Sequence, residues 1–127
     1  LWEKTEKIVQ GISKNKSFIK IIDAEIQNTP YSSQLYDHVG LKLMDSGRIK
    51  ESNVMFEKSI INDFTNEKAW YNSACVLSQT GSYKDALKKL SIAISLKSSL
   101  AKTAKNDKNF KKIKNTKEFL KITDLDS

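Results

Sequence analysis

One proline and four glycines in 127 residues leave few chain-reversing positions, which disfavours a turn-rich β fold and favours long helices. A single cysteine, Cys75, excludes an internal disulfide, so a reducing, cytoplasmic setting is expected. His38 is the only histidine, which excludes His-rich metal sites. Cys75 has no histidine or second cysteine near it in the sequence to make it a nucleophile. Glycine-rich phosphate loops, cysteine pairs and acidic calcium loops are all lacking. No apolar run approaches the roughly 18 residues of a membrane span. An enzyme is not expected from this inventory, nor a cofactor or metal. The chain opens on Leu1 rather than Met, which suggests a piece of something longer.

What is present is an ordinary apolar and charged balance, 39% and 29%, in a chain long enough to bury a core without staples. The net charge of +7 is uneven. Residues 97–127 carry nine Lys against Asp107, Glu118, Asp124 and Asp126, or +5, which leaves +2 for the first 96 residues. Arg48 is the lone arginine.

The chain repeats itself every 34 residues. Tyr36 is followed by Trp70, Gly40 by Ala74, Leu43 by Leu77 and Gly47 by Gly81. Further on, Ile49 maps onto Tyr83, Ser52 onto Ala86, Phe56 onto Leu90, Ser59 onto Ala93 and Ile60 onto Ile94. Each unit holds a large ring, a very small residue and an aliphatic at helical spacing, then a second helix of the same kind. Small residues let paired helices approach closely while the rings fill the adjoining gaps. Gly47 and Gly81 fall between the helices, where a helix end needs positive φ.

The run Ala69-Trp70-Tyr71-Asn72-Ser73-Ala74-Cys75, then Gly81-Ser82-Tyr83, Ala86 and Ala93, resembles the tetratricopeptide repeat family. Residues 33–66 fit the same pattern with Ser in place of two interface Ala residues. Upstream, Trp2 and Pro30 match the period, but Phe18 and Glu25 stand where small residues belong. Residues 1–30 are therefore either a degenerate repeat or a helical pair that imitates one. Downstream, residues 99–123 leave the repeat. Leu100, Ala101, Ala104, Phe110, Ile113, Phe119, Leu120 and Ile122 mark short helices, with Asp107 and Thr116 as N-caps. Such a segment covers the apolar face of the last helix pair. The fold expected is all-α: a single domain forming an α-α superhelix of antiparallel helix pairs, with repeats at 33–66 and 67–98 and a capping segment at 99–123.

The resemblance also implies a function. In that family the first helices line a concave groove that holds a partner segment. The groove residues here would be Gln34, Asp37, His38, Leu41 and Met44, then Lys68, Tyr71, Asn72, Cys75 and Gln79. Asn72 offers both edges of an amide, and Tyr71 an apolar face with a polar tip. The carboxylate clamp of chaperone-binding members is not expected, because Asp37 and Leu41 stand where Lys and Asn are needed.

The expected function is thus a scaffold or adaptor module that binds another protein or peptide. Two alternatives stand beside it. One is a non-catalytic self-association or regulatory segment, a homo-oligomer formed through the N-terminal helices. The other is electrostatic binding of an acidic partner through the Lys-rich end. Nucleic acid is disfavoured by the near-absence of Arg and the few aromatics among those lysines.

Overall fold

A computed structural model describes residues 18–27 and 29–124. Trp2, most of the expected first helical pair and most of the surface expected to mediate self-association lie outside the described residues. Among the described residues the chain is all-helical, with seven α-helices, one 3-10 turn and no strand. It falls into two compact units, one ending at Asn66 and the other beginning at Glu67.

The first unit contains α1 (Phe18–Ile26), α2 (Ser32–Asp45) and α3 (Ile49–Asn62). α2 and α3 form a tightly packed hairpin. A Schellman turn closes α2: Gly47 adopts φ 79°, its N–H donates to the Met44 carbonyl (3.0 Å), and the Arg48 N–H donates to the Leu43 carbonyl (2.9 Å). Halfway along the pair, Gly40 lies under the ring of Phe56. A Cβ built on Gly40 would sit 2.7 Å from the ring's Cδ1, well inside contact distance.

Ser52 and Ser59, the two serines that replace Ala, are fully buried. Their hydroxyls are nonetheless satisfied, as buried polar groups must be. Ser52 Oγ donates to the Ile49 carbonyl at 2.6 Å. Ser33 and Ser59 donate reciprocally to each other's carbonyls at 2.9 and 2.7 Å, and Asn66 Nδ2 donates to Ser33 Oγ at 3.0 Å. α1 adds Ile22 and Ile26 to a core with Leu35, Tyr36, Val39, Leu43 and Met55. Its Asp23 receives the Tyr36 hydroxyl at 2.7 Å and the Lys58 ammonium at 3.1 Å, which secures α1 to both helices of the hairpin.

The second unit repeats the hairpin with α4 (Glu67–Gln79) and α5 (Tyr83–Leu96). α3 and α5 each run for 14 residues and begin 34 apart. The turn recurs as well: Gly81 has φ 86°, with Gly81 N–H to the Ser78 carbonyl and Ser82 N–H to the Leu77 carbonyl. At the positions of Gly40 and Phe56 stand Ala74 and Leu90, both fully buried. One small residue has gained a methyl where its neighbour has given up a ring. Trp70 differs from its counterpart Tyr36. Tyr36 is buried, whereas Trp70 is half-buried with the Lys89 ammonium 5.1 Å from its ring centroid.

The chain then closes on this hairpin through α6 (Leu100–Lys105), the 3-10 turn Lys108–Phe110 and α7 (Lys117–Thr123). Ala101, Ala104, Phe110, Ile113 and Phe119 are buried, while Leu120 is half exposed. Asp107 caps the 3-10 turn through the Asn109 N–H (2.9 Å), and Thr116 caps α7 through the Phe119 N–H (3.2 Å). No helix among the described residues is long and apolar enough to cross a membrane.

The Gly40–Phe56 contact yields a direct test. Gly40→Ala is expected to lower stability by about 1–3 kcal/mol through overpacking. Adding Phe56→Leu, the combination found in the second unit, should recover part of that loss in a double-mutant cycle. Thermal melts of the four proteins check it. Strictly additive losses would mean that the two positions do not share space.

Candidate partner-binding surface

The sequence places its groove residues on two first helices, and these belong to different units. On α2 the spacing of Gln34, His38 and Leu41 puts them along one face. Gln34 is exposed, His38 half-buried and Leu41 37% exposed. Asp37 is 6% exposed and belongs to the buried side, and Met44 is half-buried.

On α4 the equivalent face is occupied by the chain itself. Lys68 is exposed and Asn72 half-buried, but Tyr71 and Cys75 are covered. What covers them is the 3-10 turn and the aspartate that caps it. Asp107 Oδ2 accepts the Tyr71 hydroxyl at 2.7 Å and faces the Cys75 thiol at 3.8 Å. Ser78 Oγ donates to the Asn109 carbonyl at 2.7 Å, and the Gln79 side-chain amide donates to that of Asn109. Phe110 meets the Tyr71 ring edge to face, with centroids 5.8 Å apart, and stacks at a tilt on Phe119.

Comparison with family models, curated proteins and solved structures returned no match.

The turn therefore satisfies three of the five α4 residues expected in the groove: Tyr71, Cys75 and Gln79. A partner could reach Tyr71 or Cys75 only by displacing residues 107–110. Local sequence pattern assigns Asp107 to capping alone, and it does cap. Its second role, as acceptor for Tyr71, depends on a contact 36 residues away along the chain. No local pattern announces such a contact.

Burial, and after it the Asp107 charge, pushes the Cys75 thiol well above its ordinary pKa. The thiol is neutral and shielded, which is the opposite of a nucleophile's setting. Among the described residues no cluster of three or more His, Cys, Asp or Glu is arranged to hold a metal.

The phenols of Tyr36 and Tyr71 are also raised, first by burial and then by hydrogen bonds to Asp23 and Asp107. A raised phenol favours the neutral form in the folded state. Its contribution to stability is complete below about pH 10, the ordinary tyrosine value, and is lost as pH climbs from there through the folded-state value. Thermal melts should hold steady towards about pH 9 and fall above about pH 10, less steeply in Tyr71→Phe than in wild type. An equal alkaline fall in both proteins would remove Tyr71 from the account.

Asp107→Ala should release the turn. Leaving the covered Tyr71 hydroxyl without its acceptor makes detachment easier by about 1–3 kcal/mol. Removing the carboxylate also lets the thiol ionise more readily, so the two effects add. Alkylation of Cys75 should therefore speed up on the order of tenfold at neutral pH, with helicity retained. An unchanged alkylation rate would mean that the turn does not guard the thiol.

Proposed function

We propose that this chain is a non-catalytic interaction module of the tetratricopeptide type. In this reading the outer face of a repeat's first helix takes up a segment of a partner protein. The observation that supports it most is internal: the α4 face already holds a peptide turn of the same chain. It does so through a tyrosine hydroxyl, a serine hydroxyl, a side-chain amide and an aromatic edge. These are the means by which helical-repeat surfaces hold extended segments: convergent polar groups beside an apolar anchor.

On α2 the positions 34 residues earlier are Gln34, His38 and Leu41, the counterparts of Lys68, Asn72 and Cys75. This face offers a partner one apolar contact at Leu41 and a side-chain amide at Gln34. A scaffold or adaptor role in a reducing, cytoplasmic setting goes with this surface and with the free Cys75.

Tyr71 is not the residue to change in a test, because it secures the closing turn. Leu41→Glu on α2 is the informative variant. Val54→Glu on α3 is its control, since Val54 is 38% exposed against 37% for Leu41. In affinity capture from native lysate, Leu41→Glu should lose a partner that wild type and Val54→Glu both retain. All three proteins should show the same helicity by circular dichroism. Capture unaffected by Leu41→Glu, or lost equally in both variants, would overturn the reading.

A further inference from the structure

The closing segment of the second unit carries Lys105, Lys108, Lys111, Lys112 and Lys114 within ten residues, all exposed. Two clefts open beside the 3-10 turn. One, of about 470 Å³, lies against Ser78, Gln79 and Asn109 and is walled by Lys108, Lys111 and Lys112. The other, of about 320 Å³, is bordered by Lys105, Lys108, Lys111 and Lys114 together with Asn106 and Asp107. Lys108 and Lys111 line both, so the clefts adjoin.

The nearest acid in sequence, Asp107, lines the smaller cleft and offsets only one of these five charges. Asp107 directs Oδ2 at the Tyr71 hydroxyl and Oδ1 at the Asn109 N–H, so both oxygens are engaged by donors of the fold. Among the described residues none of the five lysines forms an ion pair. Five exposed lysines against one half-buried carboxylate thus leave an excess of positive charge crowded round two concave surfaces. Crowded like charges repel one another, and a complementary anion relieves that repulsion.

We propose that these clefts bind an acidic segment of a partner protein, a run of Asp or Glu side chains laid across the 3-10 turn. The carboxylates would pair with Lys108 and Lys111 between the clefts. Gln79 and Asn109, whose side-chain amides bond each other, line the larger cleft beside these lysines. A nucleic acid fits less well. Phe110 and Phe119, the aromatics of this segment, are buried and present no stacking surface. The lone arginine, Arg48, lies in the first unit. This proposal uses no residue of the α2 face and does not rest on that reading.

The test is fluorescence anisotropy of a labelled glutamate homopeptide titrated with the full chain at low and high salt. Wild type should bind at low salt and weaken steeply as salt rises. Lys108→Glu/Lys111→Glu should weaken binding at least about tenfold. Lys84→Glu/Lys88→Glu makes the same change in net charge on α5, outside both clefts, and should cost less than about threefold. Should the first pair disturb the turn by circular dichroism, Lys112→Glu/Lys114→Glu addresses the same clefts from their outer walls. Equal weakening by cleft and α5 variants would reduce the effect to bulk charge and overturn the proposal. So would absence of binding by wild type at low salt. So, too, would a single-stranded RNA of matched length that bound more tightly through the same lysines. Because Leu41 is untouched throughout, failure here leaves the α2-face reading standing.

Discussion

The fit of side chains between the two helices of a hairpin is the constraint on which the rest of this chain's packing depends. In the first unit the Phe56 ring fills the space over Gly40 so closely that even a methyl group there would collide with it. With the ring seated there, the flanking interface positions hold small side chains, Ser52 and Ser59, both fully buried. A serine there carries a hydroxyl that alanine lacks, and in a dry interface that hydroxyl needs an acceptor. The Ile49 and Ser33 carbonyls supply it. The second unit answers the same constraint with different chemistry. Ala74 replaces the glycine, Leu90 replaces the ring, and Ala86 and Ala93 replace the serines without any polar group to satisfy. Conserving total volume while exchanging its parts is what a tightly packed interface tolerates best.

The outer face of the first helix is what the hairpin leaves for other uses, and each unit handles it in its own way. In the second unit the chain turns back and fills it, with Asp107 as the pin. A carboxylate at that position is stable because donors from two directions meet it, the Tyr71 hydroxyl and the Asn109 N–H. The same arrangement holds the acid among the clustered lysines in place, half-buried at the edge of the smaller cleft. Capping, packing and the electrostatics of the closing segment are therefore one feature rather than three. In the first unit Gln34 and Leu41 stay exposed, and the face is open to a partner in the proposed reading.

Much of this architecture is legible in the residues alone. The 34-residue period identifies both hairpins because the constraint on interface size acts on particular residues, and particular residues can be read. Gly47 and Gly81 mark the turns because positive φ is costly for any side chain. Asp107 and Thr116 are readable as caps because a cap bonds its own helix two or three residues on. The ring at Trp70 is less legible. A large aromatic at the Tyr36 position suggests a buried anchor, yet Tyr36 owes its burial to α1 and to Asp23, while Trp70 is half-buried under Lys89.

The sequence by itself determined the helices, their pairing and the size of the side chains between them, because each of these depends on residues a few turns apart or on a short loop. Only the tertiary structure decided which outer faces are filled. Whether Tyr71 and Cys75 meet a partner or the chain's own Asp107 depends on where a segment more than thirty residues later comes to rest. That outcome is settled by the burial of Phe110 and Phe119, a collective packing choice that helical periodicity does not encode.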